Sequence, residues 1–188
     1  MPSHYEDMAS LRGQLLVASP ALLDPNFART VVLIAEHDES GAMGIVLNRA
    51  AEVPVADAAP VLADIVEPGA LVHEGGPVQP TAVVILAQFE DPARAAVPVL
   101  GDVGFVAGDT DFESLADDLQ RARVFAGLAG WGPGQLEVEL EREDWILEPA
   151  RPDDVFTDEP DGLWGAVLER KGGSFALVAR MPPDPSLN

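Results

Sequence analysis

Two apolar stretches joined by a turn constrain the fold of this chain more than any other feature of its sequence. Residues 30–36 are rich in β-branched and apolar side chains, which favours a buried strand. Residues 39–41, Glu-Ser-Gly, have the composition of a turn. In residues 43–47, Met, Ile and Leu alternate with Gly and Val, as in a second strand. The segment 30–48 therefore predicts a β-hairpin.

Further strands and helices are interspersed along the rest of the chain. Short apolar segments predict six strands, at residues 14–19, 71–72, 83–89, 104–107, 123–127 and 175–179. Helical spacing and end signals predict four helices, at residues 55–65, 112–122, 135–143 and 160–170. Residues 136–141 alternate as in a strand, but four glutamates between 137 and 143 favour the helix. The whole pattern predicts an α/β (α+β) fold with a mixed sheet, a hairpin-rich N-terminal half and flanking helices.

The length of the chain fits one compact domain. We expect this domain at residues 11–180, between a disordered tail at 1–10 and a Pro-rich tail at 181–188. The first ten residues lack the apolar segment of a signal peptide, and no apolar run reaches the roughly 20 residues of a membrane helix. The protein is therefore expected in the cytoplasm and away from membranes.

The composition restricts the available chemistry. The 188 residues include 11 Lys and Arg, 32 Asp and Glu and no Cys, which gives a formal net charge of −21. The absence of Cys excludes disulfides, thiolate nucleophiles and Cys-ligated zinc or iron–sulfur clusters. Because nucleic-acid affinity depends on Lys and Arg that neutralise phosphates, we do not expect this chain to bind nucleic acid directly.

Several motifs, taken in order along the chain, resemble the YqgE/AlgH family. They are Leu-x-Gly at 11–13, Leu-x-Asp-Pro-x-Phe-x-Arg-Thr-Val-Val at 22–32, Glu-His at 36–37, Gly-Ala-Met-Gly at 41–44, Leu-Asn-Arg at 47–49, Gly-Gly-Pro-Val at 75–78, Gly-Trp at 130–131, Gly-Gln-Leu-Glu at 134–137 and Trp145. The resemblance covers about residues 11–180. It implies a bacterial, cytoplasmic, compact α/β domain with no established catalytic residues, and one branch of the family is labelled a transcriptional regulator of alginate synthesis.

Two positions depart from the family pattern. Ala50 stands where Pro commonly follows the Asn-Arg pair, and Ala35 stands where some relatives carry Cys. A thiol-based redox role is therefore closed to this chain.

The candidates for catalysis are few. No Gly-x-Ser-x-Gly elbow, P-loop or dinucleotide-binding glycine pattern occurs, so neither a catalytic residue nor a cofactor is expected. The pairs Glu36-His37 and His73-Glu74 offer ligands for a divalent metal, and a metal-dependent enzyme using these four residues is one alternative function. Because the pairs lack the spacing that places two imidazoles on one helix face, no metal is expected.

The main hypothesis is a non-enzymatic binding or regulatory module that contacts a protein or a small ligand. A regulator of transcription acting indirectly is a further alternative, given the charge of −21. We expect Asp24 to cap a turn and Arg29 to pair with it or to lie on the surface. Six residues form the predicted ligand or partner patch: Arg29, His37, Asn48, His73, Gly76 and Trp131.

Overall fold

A ten-stranded, almost entirely antiparallel sheet organises residues 9–183, the part of the chain described by this computed structural model. The strands are β1 Gln14–Ala18, β2 Val31–Asp38, β3 Gly41–Val46, β4 Ala50–Pro54, β5 Leu71–Glu74, β6 Val78–Phe89, β7 Val97–Leu100, β8 Val103–Phe105, β9 Leu119–Trp131 and β10 Trp145–Pro149. The hairpin predicted at residues 30–48 is confirmed as β2 and β3, which pair antiparallel. The expected single α/β domain with a mixed sheet is also confirmed.

The 13-residue strand β9 lies at the centre of the sheet. The main path runs β10-β1-β2-β3-β9-β6-β8-β7, and β5 joins β9 while β4 joins β5. Strand β5 runs parallel to β9, through the pairs His73–Phe125 and Glu74–Ala126. Every other strand pair in the described residues is antiparallel. Strand β9 therefore contacts three strands, and its two ends lie in different surroundings.

Within residues 9–183, six α-helices flank the sheet, most of them a single turn long. They are α1 Val55–Ala58, α2 Phe112–Leu115, α3 Gln135–Glu141, α4 Pro152–Val155, α5 Leu163–Lys171 and α6 Ser174–Val178. Helix α5 buries Leu163, Trp164, Val167 and Leu168 against the inner side chains of β1 and β2. On the opposite face of these strands, Leu136 of α3 packs with Trp131 and Trp145. No helix among residues 9–183 has the length and apolar content needed to cross a bilayer.

Three helix and strand predictions need correction. Of residues 175–179, predicted as a strand, 175–178 lie in α6 and Ala179 caps its end; α6 packs against α5 after two glycines with positive φ, Gly172 and Gly173. The helix predicted to reach residue 122 ends earlier, because Leu119 to Ala122 pair with β6 instead. The helix predicted at 55–65 is divided into α1 and a 3-10 turn that begins at Pro60, which has no N–H to donate.

The remaining predictions fall close to the observed elements. Strand β1, the helix α3 predicted against the alternating pattern, and α5 are confirmed. Strands β4, β7 and β10 and helix α4 have no counterpart among the predicted elements. The predicted tails lie largely outside the described residues, which begin at residue 9 and end at 183.

Candidate functional site

Residues 24–29 form a turn that Arg49 holds from the side. The Asp24 carboxylate accepts a hydrogen bond from the Asn26 N–H at 2.9 Å, and the Asp24 carbonyl accepts from the N–H of Phe27 at 2.9 Å. Arg49 donates from Nη1 and Nη2 to three backbone carbonyls of this turn, at Pro25, Asn26 and Ala28. Asp24 thus begins a turn, as expected, and the Arg49 guanidinium is largely committed to its carbonyls.

Arg29 and Asn48 lie beside this turn, where the chain passes from the turn into β2. The Asn48 amide donates to the Arg29 carbonyl at 2.9 Å and accepts from the Val31 N–H at 2.9 Å, so it pairs with the backbone on both sides. Arg29 has a φ of 56° and lies with its guanidinium 4.0 Å above the ring of Trp164. Its Nη1 donates to the Met181 carbonyl, and burial lowers its pKa. Of the two expected alternatives, pairing with Asp24 is not what the structure has, because the Arg29 guanidinium stacks on Trp164 instead.

Trp131 belongs to an aromatic cluster organised by a carboxylate. The indole N–H groups of Trp131 and Trp145 both donate to Glu139 Oε2, at 2.8 and 2.9 Å. The two rings meet edge to face at 6.1 Å, and Phe27 packs on both. Trp131 is only 6% exposed. Its indole N–H is therefore satisfied inside the protein, and Glu139 is a key residue that no sequence motif indicated.

His37 is enclosed by two hydrogen bonds at the end of β2. Its Nδ1 accepts from the Leu11 N–H at 3.0 Å, so the ring proton lies on Nε2, which donates to Glu137 at 2.7 Å. Its side chain is 4% exposed. Both ring nitrogens are thus occupied by the protein itself, and His37 joins the N-terminal segment to α3.

His73 is buried in β5 and lacks one hydrogen-bond partner. Its Nδ1 lies 3.2 Å from the Leu71 carbonyl, and Nε2 has no partner among the described residues. Burial, together with the positive charge of Arg123, lowers the pKa of His73 to about 4. The ring is therefore neutral at pH 7 and packs 5.7 Å from the ring of Phe125.

The two histidines cannot share one metal ion. In the sheet, His37 pairs with Ala42 of β3, and Ala42 pairs in turn with Trp131 of β9. His73 instead pairs with Phe125 of β9. Six residues along β9 correspond to roughly 15–20 Å. Among residues 9–183, no group of three or more His, Asp or Glu side chains is arranged to hold a metal. This separation removes the metal site made of Glu36, His37, His73 and Glu74.

A cleft of about 400 Å³ opens where β4, β5 and the segment after β5 meet. We call it the signature cleft, and its lining residues are Asn26, Val46, Arg49, Ala51, Val53, Ala58, Val72, Glu74, Gly76, Pro77, Pro80 and Ala126. Most of these side chains are apolar, while Arg49 and Glu74 carry charge. Several belong to the turn at 24–29, the Asn-Arg pair and the Gly-Gly-Pro motif, the segments that carry the family resemblance.

The Gly75-Gly76 pair shapes one wall of the signature cleft. Gly76 has a φ of 147°, and a Cβ at this position would overlap the backbone of Leu128 in β9. A Cβ at Gly75 would overlap the carbonyl of Gly127. The two glycines therefore allow the chain after β5 to lie directly on β9.

The six residues of the predicted patch occupy different surroundings. Gly76 lines the signature cleft, whereas the side chains of His37, Asn48, His73 and Trp131 make the internal contacts described above. Arg49 and Glu74 line the cleft and were not predicted for it. Arg49 follows Asn48 and Glu74 precedes Gly75, and both neighbours belong to the motifs that carry the family resemblance. This adjacency was the signal that could have indicated Arg49 and Glu74.

The comparisons with known proteins agree with the sequence motifs. A sequence model of the family described as AlgH-like matches residues 15–176. A UPF0301 protein of Streptomyces avermitilis is 45% identical over 195 residues, covering 99% of this chain and all of that protein. A crystal structure of a Corynebacterium diphtheriae protein superposes with a TM-score of 0.84 at 30% identity, covering 93% of this chain and 94% of that one. The solution structure of the AlgH protein from Pseudomonas aeruginosa gives a TM-score of 0.71 at 30% identity, covering 93% and 95%. This chain therefore belongs to the AlgH-like (YqgE/AlgH) family of UPF0301 proteins.

Proposed function

We propose that this protein is a non-catalytic, cytoplasmic binding module that takes a basic segment of a partner protein into the signature cleft. The observation that carries the proposal is the cleft itself, a largely apolar recess of about 400 Å³ whose lining includes Asn26, Arg49, Gly76 and Pro77 of the family motifs. Recesses of this size, with few polar groups, are typical of binding sites.

Apolar side chains beside the cleft extend the proposed contact surface. Val53 of β4 is 44% exposed, and Val78, next to the cleft-lining Pro77, is 41% exposed. Burying such side chains against an apolar side chain of a partner contributes roughly 25 cal/mol per Å² of apolar area. The cleft therefore suits an apolar anchor residue.

The charge of the protein favours basic residues on either side of that anchor. The net charge is −21, and the exposed Glu74 lines the cleft. Arg49, the positively charged residue of the cleft lining, donates three hydrogen bonds to backbone carbonyls. A negative field of this kind accelerates association with basic partners and slows it with acidic ones.

A regulatory role fits the same contacts. A chain with this charge disfavours direct phosphate contacts with DNA, so any effect on transcription would pass through the bound partner. His73 is buried and neutral, and both ring nitrogens of His37 already form hydrogen bonds within the protein. These two histidines therefore support binding rather than proton-transfer chemistry.

Fluorescence anisotropy with two labelled peptides tests the proposal. The first peptide is Lys-Lys-Leu-Val-Lys-Lys and the second replaces every lysine by glutamate. We expect the basic peptide to bind, with an affinity that falls as salt rises, and the acidic peptide not to bind. Equal binding of both peptides, or binding of neither, would contradict the proposal.

Two matched variants locate the binding surface. Val53→Ser removes an apolar side chain at the cleft, and Val138→Ser does the same on α3, where the exposure is 45% against 44% at Val53. We expect Val53→Ser to weaken peptide binding about tenfold, the loss associated with roughly 1.4 kcal/mol. Val138→Ser should leave it unchanged, and an equal loss in both variants would place the contact elsewhere.

A further inference from the structure

A second cleft, of about 370 Å³, lies at the other end of β5. We call it the arginine cleft. Its walls are residues 66–71 before β5, residues 121–124 of β9, and the segment that contains Phe156, Thr157, Asp158 and Pro160. In contrast to the signature cleft, it is predominantly polar. It contains Arg121 and Arg123, two of the 11 basic residues of the chain.

One wall of the arginine cleft is a strand edge without a partner strand. Strand β9 pairs with β6 between Leu119 and Leu128 on one side. On its other side, β5 reaches β9 at Phe125 and Ala126, and no described strand pairs with residues 121–124 there. Such an edge presents unpaired backbone N–H and C=O groups, which can accept the backbone of a peptide.

Arg123 lines the arginine cleft and has hydrogen-bond donors that the described residues leave unused. Its Nη1 donates to the carbonyls of Val155 and Thr157, at 3.2 and 2.7 Å. Within residues 9–183, Arg123 forms no hydrogen bond from Nε or Nη2. These two nitrogens form the fork that binds a carboxylate through two parallel hydrogen bonds. Arg121 differs, because it is already bonded to Gln88 and Asp153.

Two carboxylates complete the charge pattern of the arginine cleft. Glu67 and Asp158 are exposed, line the same cleft, and both interact electrostatically with Arg123. Arg123 nevertheless has no carboxylate oxygen within ion-pair distance among the described residues. The cleft therefore presents a positive guanidinium, a free strand edge and two negative groups.

We infer that the arginine cleft binds a short zwitterionic peptide of about dipeptide size. Its carboxylate pairs with Nε and Nη2 of Arg123, its peptide group pairs with the edge of β9 at residues 121–124, and its ammonium group lies by Glu67 and Asp158. The volume of about 370 Å³ accommodates such a ligand. The charge of −21 disfavours polyanions such as nucleotides at the same place. This site is separate from the signature cleft and does not depend on the function proposed for it.

Chemical-shift mapping by NMR tests this inference with alanyl-alanine as the probe. Acetate and inorganic phosphate serve as probes that carry only the anion. We expect alanyl-alanine to shift the amide signals of residues 66–71, 121–124 and 156–160, with an affinity at least about tenfold higher than that of acetate or phosphate, since a charge-assisted hydrogen bond contributes roughly 1.5–3 kcal/mol. No shifts in these segments with alanyl-alanine at millimolar concentration, or equal affinity for acetate, would overturn the inference.

Variants of the protein test separately the contacts to the carboxylate and to the ammonium group of the ligand. Arg123→Lys keeps the charge and removes the fork, and we expect it to weaken alanyl-alanine binding about tenfold or more. The double variant Glu67→Gln/Asp158→Asn changes only exposed side chains and should weaken alanyl-alanine but strengthen acetate. Glu39→Gln removes one negative charge in the β2–β3 turn, beyond the opposite end of β9, and should change neither affinity. The same loss in Glu39→Gln as in the double variant would show an effect of net charge alone and overturn the inference.

Discussion

His37 and Glu137, a hundred residues apart in sequence, share a 2.7 Å hydrogen bond that joins the end of β2 to helix α3. The Leu11 N–H occupies the other ring nitrogen, so one imidazole connects three segments of the chain. His37, which the sequence offered as a residue of the partner patch, is thereby part of the framework around Trp131 together with Glu137.

The His37–Glu137 pair should be energetically coupled. In a double-mutant cycle with His37→Ala and Glu137→Ala, we expect an interaction free energy of about 1–2 kcal/mol, because the pair is largely shielded from water. Urea unfolding of the wild type, both single variants and the double variant measures it. Strictly additive single losses would show that the hydrogen bond contributes nothing to stability.

Removing the shared carboxylate of the two indoles should be severely destabilising. Glu139→Ala leaves the N–H groups of the buried Trp131 and Trp145 without an acceptor, and the expected loss in the free energy of unfolding is about 2–4 kcal/mol. Urea titration followed by tryptophan fluorescence measures this change. The exposed Glu39→Ala is the control and should stay within about 0.5 kcal/mol of wild type.

Gly76 should tolerate no side chain. In Gly76→Ala the new Cβ would overlap the Leu128 backbone at a φ of 147°, so we expect the wall of the signature cleft to shift and the unfolding free energy to fall by more than about 2 kcal/mol. Gly69→Ala is a matched control, since Gly69 also has a positive φ, 81°, but has open space where its Cβ would lie. Equal losses in the two variants would mean that backbone conformation alone, and not the approach to β9, explains Gly76.

His73 should make the protein less stable in mild acid. Its pKa is about 4 in the folded state, below the ordinary value of 6.5, so the unfolded chain binds this proton first as pH falls. The contribution is fully present above pH 6.5, declines between pH 6.5 and 4, and is constant below that. The decline is about 2–4 kcal/mol at 1.36 kcal/mol per pKa unit.

Comparison with His73→Gln isolates this titration from that of the many carboxylates. The difference in unfolding free energy between wild type and variant should change with pH between 6.5 and 4. A difference that is the same at pH 7 and pH 4.5 would show that His73 is protonated equally in the folded and unfolded chain.

Much of the local structure was predictable where pattern and pairing agree. The two apolar segments within residues 30–48 specify a hairpin by themselves, because they are adjacent in sequence and pair directly through their own turn. Residues 119–122 and 175–179 were assigned wrongly for the opposite reason. Their short apolar patterns fit either a helix or a strand, and only pairing with β6 in one case and packing on α5 in the other decides.

The sequence alone determined the family, the single α/β domain, the central hairpin and the exclusion of thiol chemistry, since these depend on local pattern, motif order and composition. The tertiary structure decided which polar groups are free. It encloses His37, Asn48 and Trp131 in internal hydrogen bonds and, within residues 9–183, provides no acceptor for Nε and Nη2 of Arg123. The reason is physical: a hydrogen bond between residues a hundred positions apart has no local signature, and it forms only when the sheet brings both groups within 3 Å.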